Sequence, residues 1–114
     1  MALRTDAFPS PDPQVVTLSE VEFTSLCPKT GQPDFGSVAI EYTPDGRRLE
    51  PRSWEKYLWS FRDVGAFCES IAAQIADDIV YAIAPKHVRV RVSQNARGGI
   101  AITSIAERTP VISP

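Results

Sequence analysis

Of 114 residues, one is histidine, one is methionine and two are cysteine, and no apolar run approaches the ~18 residues of a membrane span. With one imidazole and two thiols, Cys27 and Cys68, the chain supports neither a disulfide framework nor a four-ligand zinc site. It has no excess of positive charge either. The 12 Lys and Arg against 14 Asp and Glu leave a net charge of −2, which speaks against the broad basic footprint of a dedicated nucleic-acid-binding module. Internal repeats and low-complexity blocks are absent. The opening Met1-Ala2-Leu3-Arg4-Thr5-Asp6 has no secretory apolar segment. What is present is ordinary for a globular chain, 43% hydrophobic and 23% charged, at the length of one domain. The expectation is a soluble cytoplasmic protein with one core, no metal and no membrane or direct nucleic-acid partner.

Residues 1–14 carry Pro9, Pro11 and Pro13 and are expected to form a flexible N-terminal arm, with 107–114 a C-terminal tail. The folded domain then lies within 15–106. A strand is expected over 16–23. A clearer one runs over 37–43, where Val38, Ile40 and Tyr42 alternate with Ser37, Ala39 and Glu41. Pro44-Asp45-Gly46 marks a turn. From Ser53, an expected N-cap, the period becomes helical, with Trp54, Tyr57, Leu58 and Phe61 on one stripe. Asp63 is the expected cap of a second helix reaching about Ile83, its stripe Phe67, Ile71, Ile75 and Ile79 with Ala72 and Ala76 alongside, and Pro85 stops it. Val88, Val90 and Val92 alternate with Arg89, Arg91 and Ser93 in a half-buried strand; Arg97-Gly98-Gly99 is a turn, and Ile100 and Ile102 belong to a last strand. The order β-β-α-α-β-β predicts an α+β fold, an antiparallel sheet with two helices on one face. The face bearing Glu41, Arg89 and Arg91 is either solvated or the lining of a channel in an oligomer.

Four features bear on chemistry. Cys27 sits where a strand gives way to a loop, and is either a small buried hydrophobe or a nucleophile. Beyond the Pro/Gly-shaped turn that follows it, Asp34 can return toward the thiol as a proton donor, although turn aspartates are common. Leu49-Glu50-Pro51-Arg52-Ser53 leads into the first helix, where carboxylates are favoured for structural reasons. Phe67-Cys68-Glu69 opens the second, where the same holds for Glu69.

The run Phe23-Thr24-Ser25-Leu26-Cys27-Pro28-Lys29-Thr30-Gly31-Gln32-Pro33-Asp34-Phe35 closely resembles the catalytic segment of the single-module 7-cyano-7-deazaguanine reductases, the QueF family. The resemblance continues through Glu50, Ser53, Tyr57-Leu58, Ser60-Phe61-Arg62, Gly65, Phe67 and Glu69, and returns at Arg97-Gly98-Gly99-Ile100. It implies the tunnelling fold (T-fold), assembled into homo-oligomeric rings, often two stacked pentamers, with active sites between neighbours. It also implies NADPH-dependent reduction of the nitrile of 7-cyano-7-deazaguanine, the free base, to an aminomethyl group in queuosine biosynthesis, a tRNA modification. By the same resemblance Cys27 is the nucleophile that forms a thioimide and Asp34 the proton donor. Leu49, Glu50, Pro51, Cys68 and Glu69 bind the base, and Pro51, Arg52, Arg97 and Gly98 contact NADPH. Glu69 suits its role because one carboxylate accepts from a ring N–H and an exocyclic amine together, and the two arginines suit phosphate.

The chain departs from its relatives at Cys68, where the family has His before the substrate-binding Glu, and at Pro51, Arg52 and Glu55, where Ser, Lys and Lys are usual. Cys68 either borders the substrate pocket, within disulfide reach of Cys27, or packs with Ala72 on the helix stripe. Two alternatives to reduction stay open: an amidine-forming relative that uses ammonia on the same thioimide, and a non-catalytic deazapurine-binding protein.

Overall fold

A computed structural model describes residues 5–6, 15–97 and 100–110. Its elements are β1 (Thr5–Asp6), β2 (Val16–Leu26), β3 (Pro33–Thr43), β4 (Arg48–Leu49), α1 (Pro51–Trp59), α2 (Cys68–Ile83), β5 (His87–Arg97) and β6 (Ile100–Arg108). Strands β2-β3-β5-β6 form one antiparallel four-stranded sheet in that order, and β1 pairs with β4 in a separate two-stranded piece. The expected α+β layout is therefore the one observed, with the short β1–β4 pair added.

Period-two patterning sets the sheet's inner face. Val38, Ile40 and Tyr42 of β3 lie opposite Val92, Val90 and Val88 of β5, and all six are buried. Against them rest Ile71, Ile75, Ile79 and Ile83 of α2, one face of a sixteen-residue helix. Trp54, Tyr57, Leu58 and Phe61 complete the core, and the Tyr57 hydroxyl donates to the Asp78 carboxylate, linking α1 to α2. The outer face carries Glu41, Arg89, Arg91 and Glu107, with Arg89 and His87 both paired to Glu107. Among the described residues no helix is long and apolar enough to cross a membrane.

Several boundaries differ from expectation, each for a local reason. Helix α1 begins at Pro51, not Ser53: Pro has no N–H to lose at that position and its φ is already helical. Glu50 is the cap, its carboxylate accepting from the N–H groups of Arg52 (3.1 Å) and Ser53 (2.7 Å), while Ser53 is buried. Asp63 does not cap α2. The segment around it runs along the end of β2 instead, with Leu26 N–H donating to Val64 O (2.9 Å), Ala66 N–H to Leu26 O (3.3 Å), and Gly65 bridging Leu26 in parallel. The helix starts only at Cys68. Strands β2 and β3 extend to Leu26 and from Pro33, because their register continues without a break to the hairpin turn. Strand β6 runs to Arg108, two residues into the expected tail, where Arg108 is held by Asp77 of α2 at 2.9 Å.

Gly36 is the tightest point of the sheet. A Cβ there would overlap the Ser93 carbonyl oxygen and reach 3.0 Å from Gln94 Cα, so β3 and β5 approach this closely only because position 36 has no side chain. Gly36→Ala is expected to lower stability by about 1–3 kcal/mol, the usual overpacking penalty. A thermal melt equal to wild type would show that the two strands separate there at no cost.

Candidate active site

Cys27 and Asp34 are joined by the β2–β3 hairpin. The strands remain in register through Ser25↔Asp34 and Leu26↔Pro33. The turn then closes with Cys27 N–H donating to Gln32 O and Gly31 N–H to Cys27 O, both at 2.8 Å. Gly31 has φ +71°, a conformation glycine adopts without a side-chain penalty. Both side chains line a cleft of about 310 Å³ with Pro28, Ala66, Phe67, Gln94, Asn95, Ile100 and Ile102. Ala66 and Phe67 arrive there because the 64–66 segment is stitched to the end of β2. Phe67 is half exposed, an apolar wall suited to a flat ring.

The thiol is tuned by its own loop. The Cys27 pKa lies below the usual thiol value, chiefly because the Thr30 hydroxyl donates to it, with the N–H groups of Thr30 and Lys29 adding to this. Gln32 N–H in turn donates to Thr30 Oγ1 at 3.3 Å, which leaves the hydroxyl proton for the sulfur. Partial desolvation and the negative charge of Asp34 act in the opposite sense. Thiolate is the nucleophilic form, so a thiol held below its ordinary pKa beside a carboxyl is equipped to add to an electrophilic carbon and have a proton delivered.

Cys68 is in the other situation. It is 2% exposed, its Sγ donates to Val92 O at 3.3 Å, and burial pushes its pKa up. Of the two expectations for Cys68, the structure shows the packed one: its thiol belongs to the core, and Cys68 is not among the residues lining the cleft that holds Cys27. Leu49 is likewise a core residue, 3% exposed, its N–H donating to the Tyr42 hydroxyl at 3.1 Å. Glu50 is half-buried as the α1 cap, and Pro51, Arg52 and Glu69 are exposed. None of these lines the Cys27 cleft. Arg97 ends β5, and Gly98 lies outside the described residues. Among the described residues no group of three or more His, Cys, Asp or Glu is placed to hold a metal ion.

Two contributors escaped the sequence reading. Thr30 stands three residues after Cys27, the spacing at which a turn returns a hydroxyl to the side chain that precedes it. Gln94 occupies the next inward position after Val88, Val90 and Val92, so the signal was a polar residue in an apolar register.

Alkylation of the native protein by iodoacetamide near neutral pH is expected to label Cys27 and spare Cys68, as read by peptide mapping. Thr30→Val should move the pH profile of Cys27 alkylation upward, because the donor that most favours the thiolate is gone. Asp34→Asn should move it downward, because the opposing negative charge is gone. Profiles that coincide with wild type would show that the loop does not tune the thiol.

A family model described as QueF-like protein matches residues 33–111. The NADPH-dependent 7-cyano-7-deazaguanine reductase of Alkalilimnicola ehrlichii is 46% identical over 113 residues, covering 96% of this chain and 88% of that protein. The enzyme of the same name from Nitrosococcus oceani is 44% identical over 106 residues, covering 92% and 82%. Among solved structures, the archaeosine synthase QueF-Like in its apo form matches with a TM-score of 0.80 at 27% identity, over 89% of this chain and 99% of that one. The family model spans both β3, with Asp34, and the whole helical layer, and the relatives extend the likeness back through the Cys27 hairpin; the chain belongs to the QueF family.

Proposed function

We propose that this protein is an NADPH-dependent 7-cyano-7-deazaguanine reductase, acting through a covalent thioimide on Cys27 and supplying 7-aminomethyl-7-deazaguanine for queuosine. The observation that carries this reading is the pairing of Cys27, its thiol favoured as thiolate, with Asp34 in one cleft walled by Phe67. Thiolate addition to a nitrile forms the Sγ–C bond and opens one π bond onto nitrogen, which takes a proton from the Asp34 carboxyl. The addition thus uses Cys27 as thiolate and Asp34 as the acid that supplies the proton.

Nitrile to primary amine is a four-electron change, and hydride transfer, needed twice, is the chemistry NADPH supplies when bound. Arg52 fits such a cofactor. Its guanidinium is exposed at the N-terminal turn of α1, where a phosphate is favoured by charge. The first N–H groups of that helix are already taken by Glu50, so Arg52 would hold a phosphate through its side chain. Arg97, Gly98 and Pro51 complete the proposed cofactor contacts. Glu69 and Glu50, with Leu49, Pro51 and Cys68 beside them, are the proposed segments for the base; a carboxylate that caps a helix still has lone pairs to accept from a ring N–H.

Because these segments do not line the Cys27 cleft of their own protomer, the reading includes a ring in which neighbouring copies complete each site. The outer edges of β2 and β6 pair with no other strand of the described chain, and closure between copies would satisfy them. Light scattering of the active enzyme is expected to give a multi-subunit mass; an active monomer would overturn the shared site.

The likeness to an archaeosine synthase favours a second reading, in which ammonia and not hydride resolves the thioimide. Intact-mass spectrometry with 7-cyano-7-deazaguanine should show one mass of base added in wild type and none in Cys27→Ala, with Asp34→Asn forming the adduct far more slowly. NADPH consumption that depends on the base, and is indifferent to ammonia, supports the reductase. Product formed only with ammonia supports the second reading, and binding of the base with no adduct would overturn both.

A further inference from the structure

Gln94 is an anomaly of the core-facing register. It follows Val88, Val90 and Val92 on the inward side of β5, in line with Gly36 of β3 and Ile102 of β6. Its Nε2 is shut off from solvent and has no hydrogen-bond acceptor among the described residues. A buried donor without an acceptor is destabilising, and folded proteins rarely keep one. The residue opposite cannot help, since Gly36 has no side chain, and substitution there is blocked by the Ser93 carbonyl. Gln94 is also the last regularly paired residue before the strand register shifts on the way to Arg97, an irregularity of the kind that re-aims side chains beside active sites. Its side chain lines the cleft shared by Cys27 and Asp34. Asp34 lies two residues before Gly36, on the same face of β3.

We infer that Gln94 is a further catalytic residue, whose amide N–H takes as its acceptor the substrate nitrogen that becomes the thioimide nitrogen. This rests on the thioimide reading above. As Sγ bonds to the nitrile carbon, an electron pair moves onto nitrogen and the Asp34 proton follows it, leaving a carboxylate and a C=N–H group with one lone pair. A donor already desolvated in the free protein gives up no water to meet that lone pair, so its hydrogen bond strengthens as charge develops. The stability lost to the unpaired amide is recovered when the adduct forms.

Gln94→Leu and Gln94→Met remove the donor at similar volume. Both are expected to bind the base at near wild-type concentrations, while the saturating rate of Cys27 adduct formation, followed by mass spectrometry, falls on the order of 100-fold. Iodoacetamide alkylation of Cys27, which forms no imide nitrogen, should keep its wild-type rate and pH profile. The free variants should melt at or above the wild-type temperature, because an unsatisfied polar group has been removed. Adduct formation at the wild-type rate would overturn the inference. So would a parallel loss of alkylation, which would make Gln94 a support for the thiol, or a lower melting temperature with a loss of subunits, which would make its acceptor a neighbouring copy. Absence of any adduct in wild type would instead mark the failure of the thioimide reading itself.

Discussion

The packing of Ile71, Ile75, Ile79 and Ile83 onto Val88, Val90 and Val92 is the contact from which the rest of the molecule follows. Each of those isoleucines is at most 1% exposed, and burying a side chain of that size contributes roughly 1.5–3 kcal/mol. With α2 seated, its first residue is set over the sheet, and the chain before it has nowhere to go but along the end of β2. The hydrogen bonds of Leu26 to Val64 and Ala66 record that path. Phe67, the residue just before α2, is brought to the Cys27 cleft by that path.

Within the cleft, reactivity is a balance of opposed local fields. Donors from Thr30 and Lys29 favour the thiolate, while the negative charge of Asp34 disfavours it. For the nitrile addition proposed above, both a nucleophile and an acid are required, so a site that lowered the thiol pKa without an adjacent carboxyl would attack but stall with charge on nitrogen. Cys68 shows how far environment, and not residue type, decides the outcome: the same thiol, buried and bonded to a strand carbonyl, is pushed the other way.

The elements read most directly from sequence were those whose apolar residues repeat at one period, β3, β5 and α2. Their ends were harder. Ser53 and Asp63 are both sound caps by composition, yet Glu50 reaches the α1 amides from one residue before Pro51, and the backbone near Asp63 is committed to β2. A capping preference is worth about 1 kcal/mol and gives way to backbone pairing that the fold imposes. Of the candidate site residues, Cys27 and Asp34 were legible because a short hairpin leaves two such positions little freedom to separate.

From sequence alone came the α+β order, the inward-facing valines and isoleucines, and the Cys27-to-Asp34 loop, since each depends on residues close in the chain or on a strict period. Tertiary structure alone decided which cysteine is available, which carboxylate caps a helix, and that Gln94 shares a cleft with a thiol 67 positions earlier in the chain. These outcomes depend on register between strands distant in sequence and on which groups the core shuts off from water, and neither is written in local pattern.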